Sequence, residues 1–562
     1  MKKLINSPRH VVTEMLEGLV ALSPCLALLE GETVVVRNDA PLVDKVALIS
    51  GGGSGHEPAH AGYVGPGLLT AAVAGDVFTS PATDAVLAAI RAVAGPPGVL
   101  LIVKNYTGDR LNFGLAAELA RAEGIPVEMV VVDDDVALAA AGSYAGRRGL
   151  AGTVLVHKIA GAAAERGMKL SEVKRAAEGV IADLGTMGVA LTPCTVPAAG
   201  RPGFSLGEEE IELGLGIHGE AGVRREQIAP VDALVDEMLG RIVADRGIAA
   251  GESVALLVNG LGGTPAMELA IVARSALAWL QRRDITVARA WAGSFLTALE
   301  MAGCSLSLLL VDAERIALLD AAARAVAWPG SPRAAATLDR PKMAAFGAQR
   351  AASTAGRPGK LGPVLRAVSA ALRREEHRLT ELDRAVGDGD LGISLARGAE
   401  AMERDMAGYD LMNPASTLRA MSATMMRALG GTSGPLYAAF LLRAAGAMDA
   451  VQIDDATGWV AAFQKGIDAV AELGGAAPGD RTMLDALYPA CGELQDALAA
   501  GEPPRKALLR GVAAAREGAS QTATWTARKG RSSYLGERAL GHPDPGAAAV
   551  VVWLEAIREA VG

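Results

Sequence analysis

Cysteine is scarce in the 562 residues, and Cys25, Cys194, Cys304 and Cys491 stand far apart. With no close pair to chelate zinc or to cycle between thiol and disulfide, they read as small buried hydrophobes. Positive charge is not concentrated either: the formal net charge is −9, with Lys and Arg dispersed. A chain without a basic stripe has no means of holding a phosphate backbone, so nucleic acid is not expected as a partner. No apolar run approaches the roughly 20 residues that a helix needs to span a bilayer. Asn6, Arg9, His10 and Glu14 also interrupt what a secretory signal would keep apolar. The expectation is a cytoplasmic protein with no membrane partner. Also missing is any G-x-x-x-x-G-K-[ST] phosphate loop. Gly214, Gly216 and Gly219 do satisfy G-x-G-x-x-G, but Gly222 and Pro230 leave too little room for the helix that a dinucleotide fold starts there.

What is present is apolar material and glycine. A hydrophobic share of 51% and 67 glycines provide for buried cores and tight turns. The length exceeds what one core serves, so two to four domains are expected. Short β-rich runs at 46–49, 99–103 and 127–132 alternate with helical stretches at 84–93 and 115–122. Such alternation predicts a parallel sheet with helices on its faces, over residues 1–190. A second α/β lobe is expected over 191–330, with strands near 253–258, 286–290 and 305–311. Pro329, Pro332, Pro341 and Pro358, among Ala, Ser and Gly, mark 331–360 as a linker. From Leu361, Val364, Leu365, Val368 and Leu372 onward the apolar period is helical, and 361–562 reads as all-α.

Two segments carry most of the chemistry. Gly51-Gly52-Gly53-Ser54-Gly55-His56-Glu57-Pro58 reads as a strand-to-loop glycine run whose free N–H groups could bind hydroxyl or phosphate oxygens, with an imidazole beside them. It falls at the carboxyl end of a strand, as does 105–109 with Asp109, which is where ligands of such sheets sit. His60 reads as structural. In the helical part, Asp383, Asp388 and Asp390 are separated by Gly387 and Gly389, which let the chain curl until three carboxylates converge. Hard oxygen donors of this kind suit Mg²⁺; a polar interhelical turn is the other reading. Gly430, Gly431, Thr432, Ser433, Gly434 and Pro435 interrupt a helix as a phosphate-facing loop would. Asp544, Pro545 and Gly546 open the last helix, where Asp544 also suits a cap. Glycines around His218 leave its ring open to a ligand, or else pack it in a loop.

Taken in order, these segments resemble the single-chain, ATP-dependent dihydroxyacetone kinases. The resemblance extends to 105–114, 216–220, 479–483 and 529–538 and covers nearly the whole chain apart from the linker. It implies a substrate module of two α/β lobes followed by a nucleotide module, an all-α barrel of antiparallel helices. It implies that His218 binds the ketone carbon of dihydroxyacetone as a hemiaminal, with His56 and Asp109 as acid and base and Gly53, Ser54 and Lys104 helping to hold the triose. ATP would meet Gly430, Gly431, Thr432, Ser433, Arg481, Met483, Arg531, Asp544, Pro545 and Gly546, and two Mg²⁺ would sit on Asp383, Asp388 and Asp390. Apart from the resemblance, a linker of about 30 residues can reach a neighbouring subunit as easily as its own, so a homodimer, with modules that pair within or between chains, is expected. Ala221 stands where the family usually has proline, and Leu391 where a small or polar residue is common. Three other readings are a kinase for a four- or five-carbon ketose such as erythrulose, a sugar-sensing regulator without turnover, and a lyase that cyclises FAD.

Overall fold

The structure is a computed structural model that describes residues 2–138, 146–220, 222–330, 332–333, 359–449, 451–529, 533 and 539–561. Arg531, Ala221, all of the proposed linker 331–360 except residues 332, 333, 359 and 360, and most of 529–538 lie outside that set. The chain divides into two compact units, Met1–Pro341 and Lys342–Gly562. Among the described residues no helix is long and apolar enough to cross a membrane.

The first unit opens with helix α1 (Val11–Ala21) and strands β1 (Leu26–Leu28), β2 (Val34–Arg37), β3 (Ala47–Ser54) and β4 (Ala71–Val77). Then come α2 (Thr83–Val93), β5 (Val99–Lys104), α3 (Thr107–Ala122) and β6 (Val127–Val132). They form one sheet in the order β1-β2-β4-β3-β5-β6, parallel from β4 through β6. Strands β3 and β5 are buried along their whole length. That suits a central parallel strand covered on both faces, and explains why Ala47, Leu48 and Ile49 show no polar alternation. Chain leaves β3 toward β4 but leaves β5 toward β6, so a crevice opens at the carboxyl ends of β3 and β5.

Helices α4 (Thr153–Glu165) and α5 (Leu170–Ala182) follow, then β7 (Leu184–Ala190), β8 (Glu210–Leu213), β9 (Arg224–Gln227) and α6 (Val231–Arg246). The unit ends with β10 (Ser253–Gly260), α7 (Ala266–Arg282), β11 (Thr286–Gly293), β12 (Gly303–Leu310) and α8 (Ala313–Leu319). These strands make a second sheet, β11-β10-β12-β7-β8-β9, in which only β10 and β11 run parallel. Strand β7 precedes residue 191 yet pairs along its length with β12. Residues 214–219 join β8 to its antiparallel neighbour β9, and no helix starts there. One apolar core joins both sheets: Leu100 and Ile102 of the first, Val154, Ile159 and Val180 of α4 and α5, and Leu257 and Leu309 of the second. Burial of α4 on nearly every side accounts for its lack of a polar face.

In the second unit the helices are α9 (Leu361–Arg374), α10 (Glu376–Val386), α11 (Leu391–Asp405), α12 (Pro414–Ala428) and α13 (Ser433–Ala447). They continue with α14 (Ala456–Gly474), α15 (Leu484–Ala499), α16 (Pro504–Gln521) and α17 (Pro545–Val561). From α11 each helix packs on the next in chain order, α17 returns to α9, and α9 meets α11, so the helices close a ring. The second sheet thus carries its strands largely antiparallel, and the described elements from 361 onward are helices.

Candidate active site

Beyond β3 the first unit gathers its polar groups. Strand β3 runs through Ser54, so residues 51–54 are strand and not the loop that their glycines predict. The reason is pairing on one side only. Gly51, Gly52 and Gly53 continue the ladder with β4, whereas pairing with β5 ends at Ser50 and Ile102. Past that point β3 has an edge without a strand on it, facing the crevice. Ser54 turns its hydroxyl to the Gly75 carbonyl at 2.7 Å, which commits its proton to the sheet.

His56, just past β3, is fully buried. Its Nδ1 lies 2.7 Å from the Thr297 carbonyl oxygen. A carbonyl only accepts, so Nδ1 carries the hydrogen and Nε2 keeps its lone pair. That Nε2 has no partner. Burial, reinforced by nearby His218 and Lys104, holds the His56 pKa well below the ordinary value, so the ring is a neutral base. Its ring stacks on Phe78 at 5.0 Å and meets the edge of His218 at 4.8 Å.

His218 is held by its own loop. Glu220 accepts from the His218 backbone N–H at 3.0 Å and from Nδ1 at 2.7 Å. Its Nε2 is thereby left as the nucleophilic atom. Burial pushes the Glu220 carboxyl up, but its hydrogen bonds with His218 outweigh it, and the net shift is down. Gly216 is required here, because a Cβ would collide with the Glu220 carboxylate. Tyr106 packs against the His218 ring at 4.7 Å and Phe78 at 5.2 Å. Asp109, in the first turn of α3, is buried. Three buried polar atoms in this region, His56 Nε2, Tyr106 Oη and Asp109 Oδ1, make no hydrogen bond. Leaving such atoms unpaired costs about 1–3 kcal/mol each, and two of them belong to rings that meet His218, which points to a ligand there. Lys104, at the end of β5, belongs to the same cluster. Burial lowers its pKa, opposed by Asp109 and Asp134.

The second unit holds a cavity of about 530 Å³ at one end of the helical ring. The first residues of α11, α13, α15 and α17 (Leu391, Ser433, Leu484 and Pro545) all line it, so alternate helices begin at this end. Four helix N-termini direct partial positive charge into one space, which favours phosphate. Asp383, Asp388 and Asp390 line it too, each offering a carboxylate oxygen within 4.8 Å of the others. Asp383 Oδ2 accepts from the N–H groups of Asp390 and Leu391 at 2.9 and 3.1 Å, which folds the turn back on α10. Gly387 permits this: a Cβ would stand 2.6 Å from Asp383 Oδ1. Clustered hard oxygens beside an anion site fit Mg²⁺.

The remaining expected residues also reach this cavity: Gly430, Gly431, Thr432, Ser433, Arg481, Met483, Asp544, Pro545 and Gly546 line it. Asp544 caps α17 by accepting from the Ala547 N–H at 2.8 Å, and burial pushes its carboxyl up to about 7. Arg481 donates to the carbonyls of Thr522, Ala539 and His542, so much of its guanidinium is engaged in tying down the approach to α17. Residues without a sequence signal complete both sites. Val470, Leu473, Gly474 and Ala476 give the cavity an apolar wall, and only a motif-internal Glu at position 220 hinted at the support of His218.

The Dak1 domain family model matches residues 17–327 and the DAK2 domain model residues 385–559. The chain belongs to the single-chain dihydroxyacetone kinase family. The triokinase/FMN cyclase of Homo sapiens is 46% identical over 99% of this chain and 99% of its own. A putative 3,4-dihydroxy-2-butanone kinase of Solanum lycopersicum is 46% identical over 100% of this chain and 98% of its own. Among solved structures, the dihydroxyacetone kinase of C. freundii in complex with AMP-PNP and Mg²⁺ is 35% identical, with a TM-score of 0.63 and 99% of each chain covered. The chain is an enzyme of the kinase class, and the likeness to the C. freundii kinase covers both units.

Proposed function

We propose that this protein transfers the γ-phosphoryl group of ATP to dihydroxyacetone or a close short-chain ketose, held on His218 as a hemiaminal. The observation that carries this is the pair of unpaired atoms His56 Nε2 and Tyr106 Oη, whose rings meet the His218 imidazole that Glu220 binds at Nδ1, with the unpaired Asp109 Oδ1 on the Lys104 side. The Nε2 lone pair of His218 forms a bond to the carbonyl carbon, and the C=O electron pair moves to oxygen, which takes a proton from Asp109 acting as the acid. Substitution at Nε2 makes Nδ1–H acidic, and the Glu220 carboxylate balances the charge that develops there. A polyol has no carbonyl carbon to attack, so bond formation selects ketoses over glycerol.

His56 and Asp109 are the proposed acid and base, and Gly53 and Lys104 help orient the triose. His56 suits the base role because its Nε2 is neutral and unpaired. In the helical unit, residues 430–433, 481, 483 and 544–546 seat the nucleotide, and Asp383, Asp388 and Asp390 would hold Mg²⁺, with two ions expected. Bound there, Mg²⁺ supplies neutralisation of phosphate charge. We assign ketose capture to residues 1–330, in lobes 1–190 and 191–330, and nucleotide binding to 361–562. A cytoplasmic homodimer is the proposed working form, and four free cysteines suit a reducing compartment.

Incubating the purified protein with Mg-ATP and three- to five-carbon ketoses, with ADP release as the readout, tests the reading. Ketose-dependent ADP is expected with dihydroxyacetone. No ADP above background with any of them would sink it. A higher kcat/KM for a four- or five-carbon ketose such as erythrulose would shift the substrate, a reading favoured by the four-carbon ketone in the name of the tomato relative. A separate arm with FAD, read by AMP release, tests the lyase reading; the human relative's name includes FMN cyclase.

A further inference from the structure

Beside Lys104 lies a row of buried polar groups that the chemistry above does not use. Lys104 Nζ stands 2.6 Å from His60 Nε2, and His60 Nδ1 stands 3.0 Å from His157 Nε2. Ser50 Oγ is 3.4 Å from the same His60 Nδ1. All four side chains are buried, on or next to three different elements: Ser50 on β3 with His60 shortly after it, Lys104 at the end of β5, His157 on α4.

The direction of this chain follows from one hydroxyl. Ser50 Oγ donates its proton to the Ile102 carbonyl at 2.7 Å, so toward His60 it can only accept. His60 Nδ1 therefore carries the hydrogen, shared between His157 Nε2 and Ser50 Oγ. His60 Nε2 is then a lone pair, and Lys104 must be the donor to it. His157, accepting at Nε2, carries its own hydrogen on Nδ1. Every link points from the lysine inward.

We propose that His60 and His157 are positioning residues that hold the Lys104 ammonium in one orientation, leaving its other N–H bonds to the ketose and to Asp109. The proposal rests on the reading of Lys104 as a ketose ligand. His60 supplies the acceptor that a buried ammonium needs, and His157 keeps His60 in the tautomer that can accept. The charged and titratable groups facing the ammonium are Asp109 on α3, Asp134 after β6, His56 and His60 after β3, and His157 on α4.

Removing the acceptor at position 157 leaves the His60 Nδ1–H only the long 3.4 Å contact to Ser50 Oγ, so its proton moves more readily to Nε2, where it opposes Lys104. A buried ammonium deprived of its acceptor loses its proton more easily. The alkaline limb of kcat/KM for ketose then moves to lower pH. We expect His157→Leu to shift that limb down by about one pH unit, so that the loss approaches tenfold on its alkaline side, and His157→Gln, whose Oε1 can accept, to restore it. An unmoved limb in His157→Leu, or a limb that His157→Gln fails to restore, overturns the proposal. Should His157→Leu not fold, the wild-type protein decides: with ¹⁵N-labelled histidine, His60 must appear as the Nδ1–H tautomer, identified by its loss in His60→Gln. An Nε2–H or imidazolium form of His60 refutes the chain. Lys104→Met separates the two readings. If ketose affinity survives it, Lys104 is not a ketose ligand and the proposal falls with that reading, whereas the tautomer of His60 is unaffected by that result.

Discussion

At Glu220 and the buried histidines, single hydrogen bonds decide the chemistry. Glu220 fixes the tautomer of His218, so Glu220→Ala should lower kcat/KM for ketose by on the order of 10² while sparing ATP binding. Glu220→Gln, which can still accept from Nδ1 without its charge, should lose only about tenfold. Equal losses in both variants would mean that charge alone matters. His56, His60 and His157 have pKa values pushed below 6.5 by burial, that of His157 to about 3. In each case the folded state refuses a proton that the unfolded chain accepts, so stability present above about pH 6.5 is lost as pH falls. Asp134 works the other way: burial raises it to about 6, and below that pH it takes a proton in the folded state. Three histidines against this carboxylate predict a net loss of roughly 3 kcal/mol between pH 7 and 5.5. Urea unfolding read by hydrogen exchange in peptides from β3 and β5 measures it, and equal stability at the two pH values would contradict the burial argument.

Elements differ in how plainly the sequence announces them. Residues 99–103 and 127–132 are β-branched and apolar, and they are β5 and β6. By contrast β4 is Ala71-Ala72-Val73-Ala74-Gly75-Asp76-Val77, a composition with no strand signature, and β9 is the polar edge Arg224-Arg225-Glu226-Gln227. Neither is legible, because pairing with neighbours distant in sequence makes them strands. Strand β7 continues the alternation of the first lobe in sequence, yet its partner β12 lies more than a hundred residues on. The helical half reads better, since amphipathic period is local, and so are the turns that carry Asp383 to Asp390. What no period reveals is that alternate helices start at one cavity. The loop before α15 depends on Asp485, whose carboxylate accepts from the N–H groups of Gly479 and Thr482. Asp485→Ala leaves both donors unpaired in a partly buried turn and should cost about 1–3 kcal/mol of stability. It should also raise the KM for ATP without changing ketose affinity. A thermal melt and an ATP titration check both, and an unchanged KM would detach this loop from the nucleotide site.

The whole molecule consists of two units, each with its own core. Leu48, Ile102 and Leu257 sit in the cores of the first, and Leu379, Leu487 and Val550 in those of the second. Among the described residues, the proposed ketose cluster draws on Met1–Pro341 and the proposed phosphate cavity on Lys342–Gly562. If each site is built by one unit, damage to one should not reach the ground-state binding of the other. Asp390→Asn removes a carboxylate charge from the proposed metal cluster but leaves every residue near His218 in place. Turnover should fall by on the order of 10²–10³, the usual cost of losing one electrostatic stabiliser of a transition state, while calorimetric ketose affinity stays within about twofold of the wild type. His218→Ala should do the converse: ATP binding in the presence of Mg²⁺ is retained, and discrimination between dihydroxyacetone and glycerol is lost. Binding and turnover thus separate in opposite directions in the two variants. If Asp390→Asn weakened ketose binding as much as turnover, the two sites would have to share free energy before any phosphoryl group moves, and their independence would be refuted.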